Sequence, residues 1–132
     1  MDKRIIEEKL YKEAMKSFNN GDVPVGAILV LNGKIISKAH NTKQKQNNIL
    51  GHAEINCILK ATKKLKTWHL DNCDLYVTLK PCSICTNIIN NSRISNVYYY
   101  LDKDENKKEY NKTSYKQINE LFSIKISNLL TL

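Results

Sequence analysis

Two short stretches of the chain carry side chains suited to chemistry: "HAE", His52 to Glu54, and "PCSIC", Pro81 to Cys85, with 26 residues between Glu54 and Pro81. Zn²⁺ takes tetrahedral nitrogen and sulfur ligands at about 2.0–2.3 Å, and a catalytic site uses three protein ligands and keeps the fourth position for water. His52, Cys82 and Cys85 supply three such ligands. Glu54, two residues beyond the histidine, is then placed to face the open position as a proton carrier. A metal-polarised water beside a carboxylate is equipment for hydrolysis at an amidine-like carbon, with Glu54 moving protons to a ring nitrogen and to departing ammonia. The competing arrangement is a closed structural site, in which Cys57, Cys73, His40 or His69 completes four ligands, Cys57 being the best placed of these.

These residues need elements to hold them. Ile5, Ile6, Leu10, Ala14 and Phe18 recur at helical spacing from Asp2 onward, and "NNGD" supplies a glycine where that helix should stop. Val25 to Leu31 and Lys34 to His40 are apolar runs separated by Asn32-Gly33, a strong hairpin signal. The polar "NTKQKQNNILG" reads as a loop, Ala53 to Leu65 as a helix that His52 opens, and "DLYVTL" as a strand. Pro81 fits the first position of a helix running to about Asn91, because its missing N–H is not needed there. Both thiols would then lie near that helix start, where the positive end of the macrodipole favours thiolate. "SNVYYYL" reads as a strand, Asp102 to Ser114 as a charged stretch, then a short helical signal and a strand in "FSIKISNLL". This order implies an α/β layered domain with a mixed sheet.

A length of 132 residues with 42% apolar content fits one domain, residues 1–132, around a single core. No apolar run approaches the roughly 18 residues that span a bilayer, and "MDKRIIEEKLYKEAMKSF" lacks the apolar block of a signal peptide. The expected location is cytoplasmic, where four cysteines serve as metal ligands or buried thiols rather than as disulfides, so Cys57 and Cys73 read as small buried hydrophobes. A net charge of +8 is the footprint of a polyanionic partner or, since nearly all of it is lysine in a chain also rich in Asn and Ile, a solvated surface reflecting coding bias.

Taken together, "GDVPVGAILV", "HNT", "GHAEINCILKA", "LYVTLKPCSIC" and "NSRISNVYY" resemble the bacterial tRNA-specific adenosine deaminase family, within the cytidine deaminase-like superfamily, from about Leu10 to Tyr99. The resemblance implies a three-layer cytidine deaminase-like fold, a mixed sheet of about five strands with helices on both faces. It implies one Zn²⁺ per chain on His52, Cys82 and Cys85, Glu54 as proton shuttle, Asn41 hydrogen-bonding the target nucleoside, and Val25 and Ala53 lining the base pocket. It also implies a homodimeric hydrolase that converts the anticodon wobble adenosine of tRNA to inosine. Without the family, Asn41 is a turn residue and Val25 a core strand position. The chain departs from the family pattern at Lys80, where an acidic residue is usual, at Thr86-Asn87, and in "YYYLDKDENKK"; it also shows no clear C-terminal helix. Lys80, beside the ligands, and Lys103, Lys107 and Lys108 are candidate RNA contacts, the last three standing in part for such a helix; the competing reading of that charged stretch is a solvated loop. The alternatives are a deaminase of a free base or cytosine nucleotide, and an inactive RNA-binding subunit with structural zinc.

Overall fold

The computed structural model describes residues 1–102 and 113–131. Lys103, Lys107 and Lys108 lie outside the described residues.

Helix α1, Lys3–Asn19, is capped by Asp2, whose carboxylate accepts the Arg4 amide, and it turns out at Gly21 with φ +79°. Strands β1, Gly26–Leu31, and β2, Lys34–His40, form the expected hairpin. Asn32 and Gly33 both take positive φ, 51° and 75°, the pair of left-handed residues that matches a turn to the twist of its strands. The stretch read as a loop contains one helical turn, α2, Lys43–Gln46, because the Asp22 carboxylate reaches across to accept the amides of Gln44 and Lys45 at 2.6 and 3.2 Å. Helix α3 spans Ala53–Leu65 and strand β3 spans Cys73–Leu79. Helix α4, Ser83–Asn91, starts two residues later than expected: Cys82 is its N-cap, so Pro81 precedes the helix rather than opening it. Strand β4 is Asn96–Leu101.

The C-terminal expectations are reversed. Residues read as a helical signal form strand β5, Ser114–Gln117, paired parallel to β4, and "FSIKISNLL" lies within helix α5, Glu120–Leu130. The alternation of Phe122, Ile124 and Ile126 suggests a strand, yet Ile124 is exposed while Phe122, Ser123, Ile126 and Leu129 are buried, the spacing of a helix face. Asn119 caps it through the Phe122 amide. A C-terminal helix is therefore present, against the expectation of its absence.

The five strands run in the order β2-β1-β3-β4-β5, with β1 antiparallel to both neighbours and β3, β4 and β5 mutually parallel. Alternation along β1 splits the core in two: Ala27 and Leu29 join α3 and α4 on one face, Ile28 and Val30 join α1 and α5 on the other. This is the expected three-layer arrangement with helices on both faces. No helix among the described residues is long and apolar enough to cross a membrane.

Gly26 fixes how closely α1 approaches the sheet, since a Cβ there would lie 2.6 Å from the Leu10 carbonyl. Its amide also donates to the buried Thr78 hydroxyl at 3.1 Å, fastening β1 to the site end of β3. Gly26→Ala is expected to lower unfolding stability by roughly 1–3 kcal/mol through overpacking, measured by denaturant titration.

Candidate active site

The parallel and antiparallel ladders bring the start of α3 and the start of α4 to one place. His52 is the N-cap of α3 and Cys82 the N-cap of α4, and neither side chain makes a capping hydrogen bond. The N–H of Ala53 is instead accepted by the Asn41 side-chain oxygen at 2.7 Å. The Asn41 amide nitrogen donates to the Val23 carbonyl at 3.0 Å, and its backbone N–H to the Val25 carbonyl at 3.2 Å. One asparagine thus ties the segment before β1, the end of β2 and the first turn of α3, and leaves the His52 ring unused in capping.

Ligand atoms of His52, Cys82 and Cys85 all lie within 4.8 Å of one another, and the Cys82 sulfur is 3.9 Å from His52 Nδ1. Ligands at about 2.0–2.3 Å on tetrahedral directions sit about 3.6–3.8 Å apart, so one imidazole and two thiols at this spacing fit a zinc ion. Among the described residues the group contains these three alone. The four candidates for a closing fourth ligand are engaged elsewhere. Cys57 lies 3.1 Å from the Ser37 hydroxyl, with burial raising its thiol to about 12, and His40 meets Glu13 at 2.9 Å. His69 meets Arg93 at 2.7 Å, and Cys73 is buried at the far end of β3.

The thiols are not equivalent. A hydrogen bond from the Cys85 thiol, the Cys85 and Ile84 amides and the His52 ring together lower Cys82 to about 5 despite its partial burial. Cys85 moves the other way, because its proton is shared with the Cys82 sulfur and because it is buried beside Glu54. The pair shares one proton, and the amides at the start of α4 favour its thiolate form. Glu54, only 5% exposed, is raised to about 7 by burial, with the nearby Cys82 charge adding to the rise. A carboxyl poised near neutrality both accepts and returns a proton.

Above these groups is a cavity of about 220 Å³. Val23, Val25 and Leu79 give it apolar walls, Asn41 an amide, and Lys43 and Lys80 its cations, with His52, Glu54 and Cys82 also lining it. Its size suits one heterocyclic base, below the roughly 300–1,000 Å³ of sites for larger ligands. Ala53 does not line the cavity; it is fully buried in the core. Lys80 is held 3.8 Å from the Asp102 carboxylate and 5.2 Å from the Tyr99 ring centre. Val23, Lys43 and Leu79 escaped the sequence reading, although "DVPV" and "LYVTL" were both flagged and Lys43 lies in the polar stretch taken for a loop.

A family model described as MafB19-like deaminase matches residues 1–131. The chain belongs to this family. Within the wider deaminase group it is 44% identical over 88 residues to the tRNA-specific adenosine deaminase of Bacillus subtilis, covering 67% of this chain and 55% of that protein. It is 43% identical over 104 residues to that of Aquifex aeolicus, covering 78% and 69%. The chain thus spans little more than half the length of the first of these relatives. A solved structure from a study of A-to-I editing by tRNA:A34 deaminases at the wobble position superposes with a TM-score of 0.81 at 30% identity, over 90% of this chain and 96% of that one. Guanine deaminase from Bacillus subtilis superposes with a TM-score of 0.71 at 32% identity, over 77% and 66%. The cytidine deaminase-like fold expected from the motifs is the fold of these neighbours.

In this deaminase-family chain, Cys82→Ser and Cys85→Ser are each expected to purify with well under one zinc per chain and to unfold at lower temperature than the parent, because ligand binding energy is also folding energy. Elemental analysis checks this, and full zinc retention in both variants would remove the cysteines from the site.

Proposed function

We propose that the chain is a hydrolytic deaminase that converts adenosine to inosine in tRNA, at the anticodon wobble position, as a zinc-dependent homodimer in the cytoplasm. The observation that carries this reading is the buried Glu54 carboxyl set beside a nitrogen and two sulfur donors at the base of a cavity sized for a single base. The activities for which the relatives are named supply the substrate class. The exposed apolar side chain of Ile84 on site helix α4 supports pairing with a second copy.

His52, Cys82 and Cys85 would hold the metal, which when bound supplies an acidified water and a Lewis acid at its open position. Glu54 accepts a proton from the attacking water and delivers it to the ring nitrogen next to the reacting carbon. As the carbon–nitrogen bond breaks, the same carboxyl takes the remaining proton from the hydroxyl now on the carbon and passes it to the amine, which leaves as ammonia, and the ring keeps the water's oxygen. Val25 and Leu79 exclude bulk water from the base, while the Asn41 amide, fixed by Val23 and Ala53, presents its remaining donor capacity to the nucleoside. The target base must leave its stack to enter so small a cavity, as an unpaired loop nucleotide can do at low cost.

Purified protein is expected to form inosine in an anticodon stem-loop RNA and to release little ammonia from free nucleosides or bases. Release of ammonia from a free purine, the activity named for the guanine deaminase neighbour, with no inosine in RNA would replace the tRNA assignment by the small-substrate one. Glu54→Gln is expected to retain zinc and fold but to lose at least about 10²-fold in single-turnover rate, since the amide keeps the shape without accepting a proton. An undiminished rate would make Glu54 structural.

A further inference from the structure

The positive charge of the chain is unevenly distributed. Residues 23–70 hold eight lysines and one acidic residue, Glu54, while the rest of the chain holds 13 basic against 12 acidic residues and is close to neutral. Glu54 is buried, and all eight lysines, at 34, 38, 43, 45, 60, 63, 64 and 66, are exposed. The fold brings part of this charge together: Lys45 and Lys60 line one cleft, and Lys63, Lys64 and Lys66 follow along α3 and its C-cap, whereas Lys38, opposite Ile28 in the hairpin, belongs to the α1–α5 face of the sheet. Strand β2 is the edge of the sheet, α3 packs alongside it, and the Lys60 ammonium donates to the Lys38 carbonyl at 2.9 Å while the Asn56 amide donates to the His40 carbonyl at 2.9 Å. These two bonds identify the flank of α3 that faces β2, and Lys63 and Lys64 follow Lys60 one turn on along the same helix.

The face begins beside the active site. A cleft of about 390 Å³ is lined by His40, Thr42, Lys45, Gln46, Asn56 and Lys60, directly after Asn41 in sequence. His40 is held there by the buried Glu13 carboxylate at 2.9 Å, which Lys16 also meets at 2.8 Å. From that cleft the 13 residues of α3 run about 20 Å to the lysines at its far end. At one phosphate per roughly 3.4 Å of axis for each strand of a duplex, that length matches on the order of six phosphates. No Phe, Tyr or Trp lies within residues 32–66, so the face offers charge without stacking surfaces.

We propose that this β2–α3 face binds the phosphate backbone of the substrate RNA as it leads away from the nucleotide held in the active-site cavity, and that it does so independently of sequence. The inference rests on RNA being the substrate. It assigns the lysines a role apart from the catalytic cavity: they bind the body of the RNA and add affinity and salt dependence, while the cavity selects the base.

The test compares zinc-loaded full chain with the variant K60Q/K63Q/K64Q/K66Q, and with the control K3Q/K9Q/K12Q/K116Q, which removes equal charge away from this face. An RNA hairpin carrying adenosine in its loop is titrated between about 50 and 200 mM salt. The α3 variant is expected to bind at least about 10-fold more weakly at low salt, with a log–log salt slope shallower by up to about 3, from about 0.7–0.9 per lost phosphate contact. The control should change the slope by less than half as much, and zinc content and the saturating single-turnover rate should match the parent in both. Equal effects of the two variants would reduce the face to net charge, and an unchanged slope would remove it. A changed oligomeric state by sedimentation in the α3 variant would make the face a contact between copies; each of these results overturns the proposal. If the parent binds the hairpin in this lysine-dependent way but forms no inosine, the face stands and the tRNA deaminase reading falls. Inosine formation with unaltered binding by the α3 variant has the opposite meaning.

Discussion

Everything at the site depends on holding three ligand atoms within 4.8 Å of one another from segments 30 residues apart. Two imidazole or thiol caps would ordinarily spend themselves on the free amides of their own helices. Here Asn41 takes over that duty at α3, accepting the Ala53 amide from outside the helix. Thr78 supports the other side, fastening β1 to β3 just before the turn that leads to Cys82. His52 is consequently free for a metal because a neighbouring polar group satisfies the backbone beside it.

Burial then sets the electrostatics of the same place. The carboxyl of Glu54 is shielded from water, which raises it toward neutrality, while the neighbouring sulfur of Cys82 is stabilised as a thiolate by the amides at the start of α4. A buried carboxylate, a thiolate and a shared thiol proton form a cluster in which charge is costly unless a cation is present.

The opposite economy governs the outer surface. Edge strand β2 carries lysines that discourage pairing with another sheet, and α3 adds three more, with Lys66 at its C-cap, none of them in an ion pair among the described residues. The charge is therefore concentrated beside the cavity instead of being dispersed, and the same helix whose first turn holds His52 and Glu54 carries that charge away from the site along its solvent flank.

The sequence by itself determined the elements that are closed by local rules. The positive-φ Asn32-Gly33 turn fixed the hairpin, helical spacing fixed Ala53–Leu65, and the two donor motifs named the metal group and its neighbouring carboxylate. Tertiary structure decided what depends on neighbours distant in sequence. Residues 120–130 became a helix because Phe122 and Ile126 found a common apolar surface around Tyr100, while Ser114–Gln117 became a strand because β4 offered it an open edge. Asn41 reads as a turn residue until Val23 and Ala53 are seen to share it, and the turn α2 exists because Asp22 reaches it from 22 residues away. Local spacing encodes periodicity and turn geometry, whereas burial, edge pairing and long-range capping are properties of the assembled sheet.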